Sequence, residues 1–389
     1  MGENFVCPLC GNRDPGKIGQ FLGVPYCQKC FAIEKGMIKR TAYKGTPSAL
    51  ELSYRLSDEQ QELSDRIINN FEKGKDTLLY AVCGSGKTEV SYGVIDLAMQ
   101  KKMHVGFALP RRDVVIELYD RMIKAFPSKK IVAVYGGHVG ETEGDLIVLT
   151  THQLFRYKDY FDLLVMDEVD AFPYAGNAEL ERHFKESLRG HCVLMSATPS
   201  KALVSEFSQM GHEILMMHTR FHKKPIPVPV LVILHGVGKY RFIMKKLSEY
   251  QRTGKTCFIF VPSIDLAQSL FRTLSRVFPK GNYVSSKREQ REEIIQDFKE
   301  GKYLYLVTTA ILERGITVKN LNIIVFGAAS RIYDAACLTQ IAGRAGRKAD
   351  APQGDVYFLA DRETEAIKKA ISEIEYCNTY LSNLSKKHS

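Results

Sequence analysis

Short apolar runs and helically spaced apolar residues alternate along most of this chain. The runs Thr77–Val82, His104–Leu109, Ile131–Tyr135, Leu146–Thr150, Asp162–Met166 and His191–Met195 are each bounded by turn residues and predict buried strands. Segments between them carry helical spacing, as in Val114, Leu118 and Met122. Ahead of them, Ser57-Asp58-Glu59-Gln60 opens a predicted helix whose apolar positions Leu63, Ile67 and Phe71 recur every fourth residue. After residue 229 the style repeats, with strands expected at Val230–Leu234, Thr256–Val261, Asn282–Val284, Tyr303–Val307, Asn322–Phe326 and Asp355–Leu359. Such alternation predicts an α/β protein of two parallel sheets covered on both faces, with ligands gathered at the carboxyl ends of the strands.

Breaks in the pattern place the boundaries. Pro225, Pro227 and Pro229 cannot continue a helix and favour an extended connection, so 218–229 is read as a linker. It separates a first lobe, 46–217, from a second, 230–389, and a small module occupies 1–45.

Charge and composition sharpen this division. Of the formal net charge of +10, residues 1–45 carry +4, 46–217 carry −6, 218–229 carry +3 and 230–389 carry +9. A basic second half beside an acidic first half suits a polyanion track, and equally suits solvated faces. No apolar run reaches the 18 or so residues of a membrane span, the N-terminus does not read as a signal peptide, and five cysteines stand singly; a cytoplasmic location is expected.

The other four cysteines are paired. Cys7 and Cys10, then Cys27 and Cys30, form two Cys-x-x-Cys knuckles 16 residues apart, the spacing of a tetrahedral four-cysteine zinc site, against the alternative of redox or disulfide pairs. Few apolar residues lie between the pairs, so the module should depend on Zn2+ for its fold.

Four further stretches carry chemistry. Ala81-Val82-Cys83-Gly84-Ser85-Gly86-Lys87-Thr88 joins a strand to a helix expected to begin near Glu89; its backbone N–H groups would cradle phosphate, Lys87 would reach the terminal phosphates and Thr88 would hold Mg2+. Asp167-Glu168-Val169-Asp170 leaves a buried strand, which suits Asp167 to the metal and Glu168 to the attacking water, with Asp170 tying the site to neighbouring motifs. Ser196-Ala197-Thr198 at the next strand end would relay the nucleotide state, or merely cap a helix. In Gln340-Ile341-Ala342-Gly343-Arg344-Ala345-Gly346-Arg347, the two arginines share one face if the segment is helical, and could act as arginine fingers or as surface charges. Gln60, 27 residues before Lys87, reads either as the third residue of a capping box begun by Ser57 or as an adenine-reading amide.

Taken in order with Ala108–Asp113, Gly136-Gly137 and Thr150–Gln153, these stretches resemble the superfamily 2 helicases over residues 56 to 360. The resemblance implies two RecA-like lobes, ATP between them and nucleic acid across both. It assigns ATP contacts to Gln60, Cys83, Gly84, Ser85, Gly86, Lys87, Thr88, Asp167, Gly315 and Gln340, and fingers to Arg347 and Arg344. It also assigns backbone contacts with the nucleic acid to Pro110, Arg111, Gly136, Gly137, Thr151 and His152, and from the second lobe to Ser263 and Thr308. The four-cysteine module, Asp167–Asn177 and Ala108–Val114 further resemble the ComFA family of late competence ATPases, whereas Val169 departs from the alanine of DEAD-box RNA helicases. That resemblance implies a motor on single-stranded DNA, with DNA-uptake proteins at a membrane channel as partners, peripheral attachment through them, and room for self-association. A nucleotide-switched zinc adaptor and another DNA or RNA helicase are the alternatives.

Overall fold

Strands form where the apolar runs lie, because residues pointing to either face of each strand find a core. The computed structural model describes residues 13–21, 24–27, 37–41, 50–82, 84–136, 140–170, 174–217, 219–220, 224–285, 290–309, 318–347 and 350–387. The chain divides into two units, Met1–Ala81 with Lys87–Met217, and Val82–Gly86 with His218–Ser389.

The first unit begins with an antiparallel hairpin, β1 (Ile18–Phe21) and β2 (Val24–Cys27). Its main sheet contains β3 (Thr77–Ala81), β4 (Val105–Leu109), β5 (Ile131–Val134), β6 (Leu146–Thr150), β7 (Phe161–Asp167), β8 (Leu188–Ser196) and β9 (Glu213–Met217). All pairs are parallel, in the order β5-β6-β4-β7-β8-β3-β9. Neighbouring residues alternate between two cores: Leu79, Ala81, Phe107 and Leu109 pack with helices Asp58–Glu72, Tyr92–Gln100 and Arg112–Ala125, while Leu78 and Ala108 join Phe184 and Phe207 on the other face. Both faces are therefore dry, as parallel sheets require. Leu63, Ile67 and Phe71 form the buried stripe of Asp58–Glu72.

β9 was not expected; its five residues pair with all of β3. β8 also begins earlier than expected, at Leu188, and its pairing with β7 is irregular between Phe161 and Leu163. Asp162 at this irregularity binds the backbone N–H of His104 at 2.9 Å and the Arg40 guanidinium at 2.6 Å. Arg40 also donates to Tyr160 O at 3.2 Å, and Ile38 N donates to Arg156 O at 2.8 Å, so residues 37–41 are fastened to the first unit. Burial works against the charge of Asp162, but the hydrogen bonds from His104 and Arg40 outweigh it and hold its pKa down at about 2.

The second unit has its own sheet of β10 (Val230–Ile233), β11 (Thr256–Phe260), β12 (Gly281–Val284), β13 (Tyr305–Thr308), β14 (Leu321–Phe326) and β15 (Val356–Ala360). It is again wholly parallel, in the order β10-β15-β14-β11-β13-β12. Along β11, Phe258 and Phe260 enter one core with Ile341, Ile367 and Ile374, and Cys257 and Ile259 enter the other with Ile243, Leu247 and Leu270. Among the described residues, no helix is long and apolar enough to cross a membrane.

Candidate nucleotide and nucleic-acid site

The phosphate loop leaves β3, a strand whose residues are buried except for a partly exposed Tyr80. Gly84 and Gly86 take the left-handed φ values of +81° and +83° on either side of the fully buried Ser85. Those conformations suit glycine, and alternation of this kind turns successive N–H groups toward one concavity. The following helix starts at Lys87, two residues before the expected point, and is interrupted after Val90; Ser91 Oγ donates to Thr88 O at 2.7 Å before the helix resumes at Tyr92.

Strand order explains what gathers here. β8 lies between β3 and β7, so Ser196 ends next to both the phosphate loop and the acidic motif. Lys87 Nζ meets Asp167 Oδ1 at 2.6 Å. Burial disfavours the ammonium, but Asp167, then Glu168 and Asp170, more than offset it and raise the pKa of Lys87 above its ordinary value. Glu168 has a left-handed φ of +58°, an unusual conformation for a non-glycine residue, and its N–H donates to Asp167 Oδ1 at 2.7 Å. Asp170 accepts from Ser196 Oγ at 2.8 Å and from Thr198 Oγ1 at 2.7 Å, which joins the acidic and hydroxyl motifs.

Gln60 is 5% exposed and forms the capping box: its Oε1 accepts from Ser57 N at 2.9 Å, and its own N–H donates to Ser57 Oγ at 3.3 Å. The expected nucleic-acid residues of this unit follow adjacent strands. Pro110 follows β4, Gly136 lies just beyond β5, and Thr151 and His152 begin a short 3-10 helix, Thr151–Arg156, after β6. Arg111 is the N-cap of Arg112–Ala125, and the Arg112 guanidinium lies 5.0 Å from the centroid of the Tyr135 ring. His152 and Gly136 are exposed, whereas Thr151 is fully buried.

In the second unit Ser263 is exposed and caps helix Ile264–Ser275 by accepting from Leu266 N at 3.2 Å. Thr308, at the end of the adjacent β13, is fully buried. The arginine segment departs from expectation. Helix Ala335–Ala342 contains the buried Gln340 but ends with Gly343 as its C-cap, and Gly346 has a φ of +61°. Arg344 and Arg347 therefore do not share a helical face; Arg344 is 5% exposed and Arg347 is half-buried. A Cβ added to Gly346 would come within 2.2 Å of Pro352 O, so glycine is required there.

One residue had no sequence signal. Arg220, which falls in the expected linker 218–229, is 1% exposed and donates to the carbonyls of Gly343, Ala345 and Gly346 at 2.8 to 2.9 Å. Within this unit, which includes Val82–Gly86, a Cβ on Gly84 would lie 3.3 Å from Arg347 Cγ and 3.7 Å from Arg220 Nε. Cys7, Cys10, Cys30, Cys83, Gly137 and Gly315 lie outside the described residues, and Cys27 ends β2. Among the described residues, no group of three or more His, Cys, Asp or Glu is arranged to hold a metal.

Two parallel sheets, one ending in a phosphate loop paired with an acidic motif and the other carrying an arginine turn, define the core of a superfamily 2 helicase, an ATPase class. The family described as type III restriction enzyme, res subunit, matches residues 53–201, and the helicase conserved C-terminal domain matches 238–349. ComFA of Streptococcus pneumoniae is 34% identical over 92% of this chain and 86% of its own length; ComFA of Bacillus subtilis is 34% identical over 97% and 86%. The chain belongs to the ComFA family of competence proteins. In fold it is similar to S. cerevisiae Dbp5 bound to RNA and ADP BeF3, with a TM-score of 0.65 over 83% of this chain and 92% of that one, at 15% identity.

Proposed function

We propose that this chain is an ATP-driven translocase on single-stranded DNA, serving DNA uptake in natural transformation. The observation that carries this reading is the 2.6 Å pair between Lys87 and Asp167. A lysine suited to phosphate and a carboxylate suited to Mg2+ neutralise each other there, and Mg–ATP would offer each a better partner. The paired charges, the hydroxyl of Thr88 and the left-handed glycines form a donor set that fits the nucleotide and its metal. Mg2+, when bound, supplies charge neutralisation at the phosphate oxygens.

The remaining roles belong to the chain. Glu168 accepts the proton of the attacking water, and its left-handed backbone sets the direction of its side chain. Arg347, with Arg344 beside it, neutralises charge developing on the transferred phosphate. Gln60 reads adenine with its amide while its oxygen remains in the cap. Asp170 passes the state of the site to Ser196 and Thr198. DNA runs along Pro110, Arg111, Gly136, Gly137, Thr151 and His152, and along Ser263 and Thr308 of the second unit; contact with the buried Thr151 and Thr308 requires local opening. The roles of Cys83, Gly315 and Gln340 as ATP contacts are carried by the family resemblance.

Cys7, Cys10, Cys27 and Cys30 take one Zn2+, with Cys27 at the end of a β-hairpin as in zinc-ribbon knuckles. Zinc content of one ion per chain, lost in Cys27→Ala, checks this. The function is tested by ATP hydrolysis with and without single-stranded DNA, and with RNA. Hydrolysis should rise with DNA, fall in Lys87→Ala, and lose its stimulation as salt is raised. DNA-independent turnover, or an unaffected Lys87→Ala, overturns the reading, and stronger stimulation by RNA replaces the substrate.

A further inference from the structure

We propose that Arg220 is a positioning residue for hydrolysis: its guanidinium holds the turn that presents Arg347 and ties that turn to the connector between the two units. The inference rests on the ATPase reading above. Helix Ala335–Ala342 ends at Gly343, and its last carbonyls, of Thr339, Ile341 and Ala342, accept from the N–H groups of Gly343, Arg344 and Ala345 in the turn that follows. Arg220 takes three carbonyls from this region, with Nη1 on Ala345 O at 2.9 Å and Gly346 O at 2.8 Å, and Nη2 on Gly343 O at 2.9 Å. The negative end of the helix dipole favours a cation in that place.

The arrangement does more than cap a helix. A guanidinium that is 1% exposed is costly to bury, and the planar fork is the group able to hold several carbonyls in one fixed geometry. The held residues bracket Arg344 and immediately precede Arg347, so the peptide planes that Arg220 fixes are those that set the direction of the Arg347 side chain. The opposite constraint comes from Pro352, whose carbonyl leaves no room for a side chain at Gly346. Arg220 and Arg347 also converge on Gly84 of the phosphate loop, at 3.7 and 3.3 Å from a Cβ built there. Arg220 lies at the start of the connector, just beyond Met217 at the end of β9, with Thr219 buried beside it. A change in the course of the connector is thereby felt at the arginine turn.

The experiment is a double-mutant cycle on the full chain, using Arg220→Lys and Arg347→Ala, with steady-state ATP hydrolysis and ADP affinity as readouts. Lysine keeps the charge and loses the fork. Arg220→Lys should lower kcat by about 10²-fold, the cost of a small misplacement, while KM for ATP and ADP affinity change by no more than about threefold. In the Arg347→Ala background the same substitution should add nothing, because the group being positioned is gone. Arg220→Gln, which keeps an amide donor without the charge or the fork, should reproduce both results and carries the cycle if Arg220→Lys does not fold. Losses that add in full, or a fall in ADP affinity that parallels the fall in kcat, overturn the proposal and leave Arg220 as a helix cap. Wild-type protein that hydrolyses no ATP sinks the underlying function instead, so the two failures are distinguishable.

Discussion

The two units hold their chemical loops in different ways. In the first, Asp167-Glu168-Val169-Asp170 is fastened through side chains: Lys87 on Asp167, and Ser196 and Thr198 on Asp170. In the second, the Gly343–Gly346 turn is fastened through backbone carbonyls gathered by one guanidinium. Side-chain anchoring distributes the hold over several residues, each removable at moderate cost. Backbone anchoring concentrates the turn's dependence on Arg220 and on the glycine at 346, where Pro352 O leaves no room for a Cβ. The first unit should therefore respond to many substitutions modestly, and the second to few substitutions strongly.

Loss of the arginine itself gives the largest test of this contrast. Arg347→Ala should lower turnover by about 10³ to 10⁵ in a steady-state ATPase assay; a loss below about tenfold would remove the second unit from the chemistry and dissolve the comparison. Next comes Asp170→Ala, which leaves the Ser196 and Thr198 hydroxyls without this acceptor and should destabilise the protein by about 1–3 kcal/mol in urea unfolding. Ser57→Ala removes a cap remote from the acidic motif and should cost about 1 kcal/mol by the same measurement, which calibrates the first unit's response to losing one side-chain anchor. The smallest effect is expected at Asp162. Its pKa falls on folding from the ordinary 3.8 to about 2, so its stabilisation is complete above the higher value and is lost as pH drops toward the lower one. Asp162→Asn should flatten the acid limb of the stability profile between roughly pH 4 and 2 while leaving turnover at neutral pH unchanged. Altered turnover would mean that the Arg40–Asp162 fastening reaches the nucleotide site.

This contrast also explains what was readable in advance. The strands were legible because both faces of each sheet are buried, so runs such as Leu146–Thr150 are apolar throughout. β9 was not, since Glu213 and the exposed Met216 interrupt an edge strand that needs only one well-covered face. Lys87, Asp167 and Asp170 announce themselves because side-chain anchoring requires particular residue types at particular places. Ser57 and Gln60 likewise spell out the capping box. The face that Arg344 and Arg347 would share in a helix does not form: the glycines that allow close approach also end the helix at Gly343 and turn the chain at Gly346. Arg220 carries no signal at all, because its partners are carbonyls, which every residue has. In the sequence it reads as one more charge among Lys223, Lys224 and three prolines.

The pairing of β3 with β9 bears on how force passes through the first unit. Ala81, the last residue of β3, is in register with Met217, the last residue of β9. The phosphate loop and the connector thus emerge from the same rung of two adjacent strands, with backbones about 4.8 Å apart. β9 lies at the edge of the sheet, so tension on the chain beyond Met217 would unzip it from β3 one rung at a time, beginning beside Ala81. The first bonds loaded when the connector is pulled are those between β9 and the end of β3, the root of the phosphate loop.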